Sequence, residues 1–424
     1  MSELKPMKKV IVIGCGSRGK KYARVGKETG LFEVVAVAEP IADRRNHMKE
    51  VHGLSDEMCF ETWEPLLELP RMADAAIIAT MDRDHLAPAL AAIAKGYDLL
   101  LEKPMSYCPE ECVEIERAAK AAGVKVIVCH VLRFTPFFKA LKRIIKEGTL
   151  GEIVNIQHLE GVGNVHQSHS FVRGNWGNSD ESSCMILQKS CHDMDILAWL
   201  LDKRCERVHS FGSLVHFCEK NAPEGAPARC IDGCPHGETC PYNAVKLYLE
   251  DKNNAWFRGA STKKIEPTDA DVEQVLRTTR YGQCVYRCNN NVVDHQVVNL
   301  EFEGGVTVSF TMSAFNKGGR FIRIMGTKGE LTATMSDPII RVYEFETKKS
   351  REIPVSDMAT DDTIVGGHGG GDSGIMVAFH DLLCGEKSDS VCDIEETCRN
   401  HMIAFAAEKS RVEGRVVSMS EYEF

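Results

Sequence analysis

The first 130 residues alternate short apolar runs with amphipathic stretches, a pattern typical of consecutive βαβ units. The apolar runs have the length of buried strands, and the stretches between them repeat with a helical period. Strands are predicted at Lys9–Ile13, Phe32–Ala38, Ala75–Ala79, Asp98–Leu101 and Lys125–Cys129, and a helix at Pro88–Lys95 is predicted to end before Gly96. This part of the chain therefore predicts a doubly wound parallel sheet.

Beyond about residue 150 the hydrophobic period changes to two, which favours a large open and mostly antiparallel sheet. Strands are predicted at Glu152–Glu160, Val292–Phe302, Val306–Ser313, Phe321–Met325, Leu331–Met335 and Ile339–Glu346, with a hairpin turn at Gly304–Gly305 and helices near Gly374–Leu383 and Glu395–Glu413. The predicted class is α/β. Residues 1–130 form one domain, and residues 131–424 form a second that carries a cysteine-rich insertion at about 218–245.

The composition is that of an ordinary globular protein, since 43% of the 424 residues are hydrophobic and 26% are charged. Acidic residues outnumber lysines and arginines by 61 to 51, and the net charge of −10 argues against nucleic acid as a partner. No apolar stretch approaches the roughly 20 residues of a membrane-spanning helix, and the N-terminus lacks the pattern of a signal peptide. We therefore expect a cytoplasmic protein without membrane association, in which most of the 17 cysteines are reduced.

A glycine motif follows the first predicted strand directly. Gly14, Gly16 and Gly19 match the pattern GxGxxG, and a helix is predicted to begin at Ser17. Gly14 would allow the tight strand-to-helix turn, Gly16 would let a pyrophosphate approach the backbone, and Gly19 would let the helix pack on the sheet. The sequence therefore predicts a Rossmann domain with phosphates at the N-terminus of the first helix.

Glu39 ends the second strand, where an acidic side chain can accept hydrogen bonds from the adenosine ribose hydroxyls. This favours NAD over NADP as the cofactor. Arg44 and Arg45 follow closely and could instead neutralise a 2′-phosphate, so NADP is the alternative.

The tripeptide Glu102–Lys103–Pro104 follows the strand predicted at Asp98–Leu101. With this motif the chain resembles the Gfo/Idh/MocA family, named for glucose-fructose oxidoreductase and inositol dehydrogenase. The likeness extends to Gly14–Gly19 with Arg18, to Ala79–Thr80 and Asp82 through His85, and to the helical segment Cys191–Leu201 that carries His192 and Asp195. It implies a C-terminal α/β domain whose open sheet face often mediates dimers or tetramers, so a homodimer or homotetramer is expected.

The resemblance also implies roles for individual residues. The family's motif lysine touches both substrate and nicotinamide, which assigns Lys103 to the reacting hydroxyl and its proton; the alternative is a surface lysine before a turn proline. Glu102 would position Lys103 or the ribose. The expected cofactor-binding residues are Gly14, Gly16, Ser17, Arg18, Gly19, Glu39, Thr80, His85, Glu102 and Lys103.

A departure from the family occurs four residues before His192. The family has an aspartate at that position, but this chain has Gln188, which can hydrogen-bond a hydroxyl and cannot take a proton. His192 is therefore the predicted base, assisted by Lys103. Lys189 could bind an anionic or hydroxyl group. Helical phase places Met194, Leu197, Ala198 and Leu201 on one apolar stripe and His192 with Asp195 on the other side, so His192 need not be a core residue.

Other polar residues are candidates for the substrate pocket. Arg173 and Trp176 suit a polyol, because sugars are bound by polar forks and by stacking on aromatic faces; a well-anchored loop is the alternative. Asp294 or Asp372 could supply the carboxylate that Gln188 lacks. The predicted substrate-binding set is Gln188, Lys189, Arg173, Trp176, Asp195, Asp294 and Asp372.

Cysteines concentrate in the segment CIDGCPHGETCPYNA. Cys218, Cys230, Cys234 and Cys240 could hold a structural zinc, with His236 as a substitute ligand. Because paired CxxC motifs are missing, an unmetallated cluster of thiols is the alternative.

The pattern predicts hydride transfer between a nicotinamide cofactor and a hydroxyl or ketone carbon of a sugar, cyclitol or glycoside. Two alternatives remain open. One is a redox-cycling, NAD-dependent glycosidase or lyase of the same family. The other is a non-catalytic nucleotide-sensing regulator, for which Gln188 gives mild support.

Overall fold

Six parallel strands form the N-terminal sheet of the computed structural model, which describes residues 6–358, 368–386 and 388–422. The strands are β1 (Lys8–Ile13), β2 (Phe32–Ala38), β3 (Cys59–Phe60), β4 (Ala75–Ile78), β5 (Asp98–Leu101) and β6 (Val126–Val128). Their spatial order is β3-β2-β1-β4-β5-β6, so the chain changes direction across the sheet between β1 and β4. Ligands of doubly wound sheets bind at the carboxyl ends of the strands at such a switch point.

Helices connect and follow these strands. The described residues include no helix with the length and apolar character needed to cross a membrane. The helices are α1 (Ser17–Glu28), α2 (Ala42–His52), α3 (Trp63–Glu68), α4 (Leu86–Ala94), α5 (Pro109–Ala122) and α6 (Pro136–Lys146). The start of α6 shows how local sequence sets a boundary. Thr135 accepts a hydrogen bond from the Phe138 backbone at 3.2 Å, and Pro136 occupies the first helical position, where no N–H is needed.

The second sheet has nine strands in the order β14-β13-β12-β11-β7-β10-β9-β8-β15. They are β7 (Ile153–Gly161), β8 (Cys205–Ser213), β9 (His295–Phe302), β10 (Val306–Ser313), β11 (Gly319–Gly326), β12 (Gly329–Thr334), β13 (Ile339–Glu344), β14 (Lys349–Pro354) and β15 (Val417–Ser418). Strands β7 and β10 pair in parallel, and the other pairs are antiparallel. The mostly antiparallel sheet predicted from the period of two is confirmed.

Further helices follow in the second part of the chain. They are α7 (Asn164–Ser168), α8 (Met185–Leu201), α9 (Ala255–Thr262), α10 (Asp269–Thr278), α11 (Val355–Met358), α12 (Gly371–Leu383) and α13 (Ile394–Glu413). Helix α13 packs against α8, β8 and α5, and α12 packs against α1. The predicted helices near Gly374–Leu383 and Glu395–Glu413 are thus present.

Helix α8 is buried on all sides, with Lys189 as its one residue that is not buried. The predicted apolar stripe of Met194, Leu197, Ala198 and Leu201 is buried, and so are the polar residues on the other side of the helix. The period of apolar residues identifies the helix, but α13, α6 and β7 cover the faces that its polar residues occupy. His192 is only 8% exposed as a result.

An insertion occupies residues 214–294, between β8 and β9. It extends beyond the cysteine-rich part predicted at about 218–245 and contains α9, α10 and two small apolar cores, one around Tyr248 and Phe257 and the other around Phe217 and Tyr242. The insertion also reaches the N-terminal domain, because the backbone N–H of Ile265 donates to Asp43 of α2 at 2.8 Å.

Candidate active site

The glycine motif forms a cradle at the switch point. Gly14 has a φ of +86°, and a Cβ there would lie 2.4 Å from the Ala79 carbonyl oxygen; a Cβ on Gly19 would lie 1.9 Å from the Gly14 carbonyl oxygen. Over Gly16, by contrast, a Cβ would meet nothing closer than Arg44 at 3.7 Å. The N-terminus of α1 has no side-chain cap. These residues fit a dinucleotide, whose pyrophosphate would occupy the open space above Gly16.

Glu39 lies at the end of β2, as predicted, but its carboxylate is 3% exposed. It accepts hydrogen bonds from the backbone N–H groups of Cys15 at 2.7 Å and Ile41 at 3.0 Å. Glu39 therefore holds the glycine loop against β2. Its contact with the adenosine ribose stays a prediction.

Glu102 is the centre of a buried hydrogen-bond network. It accepts from Arg18 Nε at 2.7 Å, from the Tyr22 hydroxyl at 2.5 Å and from the Lys103 backbone N–H at 3.0 Å. Burial alone would raise the pKa of Glu102, but the charges of Arg18 and Lys103 hold that pKa below its usual value. Glu102 is thus an ionised group that positions the motif lysine.

Asp372 lies in the same network, on the side of α1. Its carboxylate forms ion pairs with Arg18 at 2.7 Å and Lys21 at 2.9 Å, and its side chain is fully buried. Because α12 packs against α1, Asp372 is directed towards the cofactor domain. The structure does not support the alternative in which Asp372 replaces the family's aspartate beside His192.

Lys103 connects the cofactor domain to helix α8 of the second domain. The Lys103–Pro104 peptide bond is cis, and Lys103 Nζ donates a hydrogen bond to the backbone carbonyl of Gln188 at 2.8 Å. The amine that follows β5 therefore lies at the first turns of α8, one helical turn before His192. The Gln188 side chain is buried and takes no part in this contact.

Lys189 is anchored by a chain of ion pairs that extends from α8 to β7 and β11. Its amine lies 3.1 Å from Glu160, which also pairs with Arg320 at 2.7 Å. Arg320 pairs in turn with Asp193 at 2.8 Å, and Asp193 accepts from His158 at 2.8 Å. The network fixes the Lys189 amine, which keeps 19% of its side-chain exposure.

His166 was not among the predicted residues, but the charges of the two lysines act on it. Burial, together with the charges of Lys189, His169 and Lys103, lowers the pKa of His166 to about 3. His166 is therefore a neutral ring. Its ring lies 5.2 Å from that of Trp256, which is 47% exposed. The His-rich segment was a signal for this site, but nothing in the sequence linked it to Trp256, 90 residues further on.

Trp176 lies where the cofactor domain meets the second domain. Its indole N–H donates to Asp82 at 3.2 Å, and the Ser183 hydroxyl donates to the same carboxylate at 2.7 Å. His85 contacts the carbonyls of Pro104 at 2.8 Å and Thr80 at 3.3 Å. These bonds hold the loop after β4 next to the loop that contains Lys103. Any contact of Thr80 or His85 with a cofactor stays a prediction.

Asp195 forms a buried ion pair inside the second domain. Both of its oxygens pair with Arg133 at 2.6 Å, and Asn400 donates to it at 3.0 Å. Burial would raise the pKa of Asp195, but the charge of Arg133 holds it well below its usual range. These contacts give Asp195 a structural role inside the domain, and its contact with substrate stays a prediction.

Two further predicted pocket residues lie elsewhere. The Arg173 guanidinium is fully buried and donates to the carbonyls of Gln283 and Tyr242, both at 2.8 Å. Asp294 accepts from the backbone N–H groups of Val215 at 3.0 Å and His216 at 2.8 Å. Each side chain satisfies backbone groups of the insertion. Neither reaches the Lys103 amine through these contacts.

A dinucleotide cradle whose neighbouring lysine contacts a helix of a second, open-sheet domain defines a nicotinamide-dependent oxidoreductase of the two-domain type. The chain belongs to the Gfo/Idh/MocA oxidoreductase family: residues 8–130 match its NAD-binding Rossmann fold and residues 142–419 match its C-terminal alpha/beta domain. The predicted family, fold class and NAD cofactor are confirmed, and the protein is an enzyme of the oxidoreductase type.

Individual relatives share limited identity with the chain. It is 24% identical to the protein YteT of Bacillus subtilis over 378 residues, 82% of this chain and 85% of YteT. An inositol 2-dehydrogenase of Saccharopolyspora erythraea is 29% identical over 221 residues, 51% of this chain and 60% of that enzyme. The 2,7-anhydro-N-acetylneuraminate hydratase of Escherichia coli is 26% identical over 206 residues, 48% of this chain and 53% of the hydratase.

A solved structure shows the same fold over the whole length. The oxidoreductase of Agrobacterium radiobacter, crystallised with NAD+, L-tartaric acid and magnesium, has a TM-score of 0.69 and 14% identity to this chain. The similarity covers 98% of this chain and 99% of that one.

Proposed function

We propose that the enzyme transfers a hydride between NAD and a secondary hydroxyl or ketone carbon of a sugar, cyclitol or glycoside. The observation that carries this proposal is the Lys103 amine, held at 2.8 Å from the Gln188 carbonyl on the helix that also carries His192. The bound nicotinamide would supply the hydride acceptor. The protein's task is to orient the reacting carbon and to handle the proton of its hydroxyl.

Lys103 and His192 divide that task. Lys103 donates a hydrogen bond to the reacting oxygen and stabilises it as the carbonyl forms. His192 takes the hydroxyl proton, because Gln188 cannot accept one and because Asp195, Asp294 and Asp372 are engaged elsewhere. In the reverse direction the same groups return the proton.

The side chains around the two lysines support a polyhydroxylated substrate. Neutral His166 can both donate and accept a hydrogen bond, and the partly exposed Trp256 ring offers a face on which a sugar ring can stack. Lys189, fixed by Glu160, adds a donor for a hydroxyl or carboxylate oxygen. The inositol 2-dehydrogenase relative is consistent with this substrate class.

A cofactor-reduction screen tests the proposal. The enzyme is incubated with NAD and, separately, NADP in the presence of sugars, cyclitols, glycosides and sugar acids, and absorbance of the reduced nicotinamide is followed. Stoichiometric NADH formation with at least one polyol is the expected result. Tight NAD binding without turnover across the panel would contradict it and would favour the nucleotide-sensing alternative.

The hydratase relative favours a second candidate, in which oxidation is transient. Oxidation of a hydroxyl acidifies the neighbouring C–H bond, elimination or addition follows, and the hydride returns to the substrate. Such an enzyme converts substrate without net NADH formation. Product analysis by NMR in the same screen separates the two candidates.

Replacing Glu39 by alanine is expected to weaken NAD binding and to reduce its advantage over NADP by about tenfold, because each charged hydrogen bond contributes about 1.5–3 kcal/mol. The loop N–H groups of Cys15 and Ile41 also lose their acceptor. Fluorescence titration with both cofactors measures the change. Glu33, which is exposed near the other end of strand β2, provides the control: Glu33→Ala should leave both affinities unchanged. Wild-type protein that binds NADP more tightly would overturn the predicted preference.

The open face of the nine-stranded sheet supports a homodimer or homotetramer. A row of paired residues crosses this face, formed by Phe321, Leu159, Thr311, Val297 and Phe211. Phe211 is 62% exposed and Phe321 is 36% exposed. Phe211→Asp is expected to shift the oligomer towards monomers in size-exclusion chromatography with light scattering. An unchanged mass would place the interface elsewhere.

The redox state of the cysteines is related to the cellular compartment of the enzyme. All 17 are free of disulfide bonds, which supports the cytoplasm as the compartment in which the enzyme acts.

A further inference from the structure

Four cysteines of the insertion line one small cavity together with a buried arginine. The residues are Cys230, Cys234, Cys240, Cys284 and Arg173. Cys284 lies 44 positions beyond Cys240 and was not in the predicted cluster. Cys218, which was, lies outside this cavity: its thiol contacts the carbonyls of Val215 and His216 and the Asn221 amide.

The backbone brings the distant cysteine to the others. Arg229 and Gln283 form an antiparallel bridge, and the N–H of Cys284 donates to the Ala228 carbonyl at 2.8 Å. Cys284 is thereby placed beside Cys230. Two turns between Cys234 and Cys240 return the chain to the cavity. In the first, the Gly237 N–H donates to the Cys234 carbonyl at 3.0 Å, and in the second, the Cys240 N–H donates to the His236 carbonyl at 2.9 Å.

One of the four sulfurs receives a hydrogen bond from a buried side chain. Arg173 Nη2 lies 3.6 Å from the Cys230 sulfur. Hydrogen bonds of this kind stabilise thiolates and tune the metals that they bind.

Arg173 carries a buried charge that needs an anion. Its side chain is fully buried, and its Nη1 atom has no hydrogen-bond partner. The groups whose charges act on it most are Tyr248 and nearby cysteines, with no carboxylate among them. Its other donors go to neutral carbonyls and to Cys230. A buried guanidinium without a counter-charge is strongly destabilising. Thiolates on the cavity wall would supply that counter-charge.

We propose that Cys230, Cys234, Cys240 and Cys284 bind a metal centre as thiolates, with Arg173 as the buried cation that offsets its negative charge. The four thiols lose their protons when the metal binds. A zinc ion or an iron–sulfur cluster is the group that proteins hold with four cysteines. Zinc would draw the sulfurs to about 3.8 Å from one another. No three of them lie within 4.8 Å in the described structure, which a wider iron–sulfur cluster would fit with less movement.

Metal analysis of the full chain tests the proposal without reference to the substrate. The protein is produced in medium supplemented with iron, cysteine and zinc, purified anaerobically without chelator, and analysed for metals and acid-labile sulfide. The expected result is either one zinc per chain or similar amounts of iron and sulfide with visible absorption. X-ray absorption at the metal edge should show a shell of sulfur only. Metal-free protein, or a shell that contains nitrogen or oxygen ligands, would overturn the proposal.

Substitutions identify the ligands. Cys230→Ser and Cys284→Ser should each lose more than nine-tenths of the metal, whereas Cys218→Ser and Cys288→Ser should retain it. Cys288 is the stricter control, because it lies near Cys284 and outside the cavity wall. Arg173→Gln should release the metal to a competing chelator at least tenfold faster than Arg173→Lys. Full retention by Cys284→Ser, or equal loss by Cys288→Ser, contradicts the assignment. If the ligand variants do not fold, the X-ray absorption spectrum at the metal edge of the wild-type protein still decides.

Discussion

Replacing Lys103 by methionine is expected to lower kcat by about 10²- to 10⁴-fold, the usual contribution of a group that acts in general acid–base catalysis. The Lys103 amine is the side-chain nitrogen through which the cofactor-domain motif contacts α8, and methionine cannot donate a hydrogen bond. His192→Ala is expected to fall in the same range. NAD binding should survive in both variants, because the glycine cradle and Glu39 are untouched. Steady-state kinetics on the true substrate and NAD titration measure the two effects.

The two residues act on the same proton, so their effects should not multiply. The double variant is expected to be only slightly slower than the slower single variant. Lys95→Met provides the control, since this exposed lysine contacts only the carbonyls of Glu68 and Leu69 in the hydrogen bonds described for it. Near-normal turnover by His192→Ala would refute its role as the base and would direct attention to Asp82, which lies beside Trp176.

Replacing Asp195 by alanine is expected to reduce the free energy of unfolding by about 3–5 kcal/mol, the cost of leaving one partner of a buried ion pair without the other. Arg133 is 1% exposed, and both of its hydrogen bonds to Asp195 are 2.6 Å long. Glu396 also pairs with Arg133, at 3.0 Å, but this carboxylate is 40% exposed and compensates only in part. Urea denaturation followed by circular dichroism measures the loss.

Two further variants make this result specific. Asp389 forms a surface pair with Lys146 and is 88% exposed, so Asp389→Ala should change the stability by less than about 1 kcal/mol. Asp195→Leu combined with Arg133→Met removes both charges and should recover much of the loss, because apolar pairs often replace buried ion pairs without cost. If Asp195→Ala were as stable as the wild type, the ion pair would contribute nothing and a substrate role for Asp195 would return.

Features that depend on neighbouring residues along the chain were predicted correctly. The GxGxxG turn, the strands at Phe32–Ala38 and Val306–Ser313 and the hairpin at Gly304–Gly305 all follow from local periodicity and backbone conformation. Both glycines of that hairpin have positive φ angles, of 78° and 77°, as the turn requires. The motif around Lys103 was found in the same way, because its residues are contiguous.

Features that depend on distant residues could not be predicted. Asp195 contacts Arg133, a residue 62 positions away in the sequence, and no local pattern indicates this contact. The helical phase of α8 shows which residues share a face and does not show which elements pack on that face. The guanidinium of Arg173 suited a sugar pocket by its chemistry. In the structure it donates to the carbonyl of Gln283, which the bridge with Arg229 holds in the insertion. Strand β14 was missed because its burial pattern does not alternate: most of its residues are exposed.

The two edge strands of the nine-stranded sheet affect how copies of the protein associate. An unpaired sheet edge is a template for aggregation, and natural proteins protect it with charge or with short strands. Strand β14, at one edge, carries Lys349, Arg351 and Glu352, and strand β15, at the other, is two residues long. Removing β15 would uncover β8, whose Phe211 is exposed. A shortened chain should therefore form fibrils or precipitate at concentrations at which the full chain remains in solution.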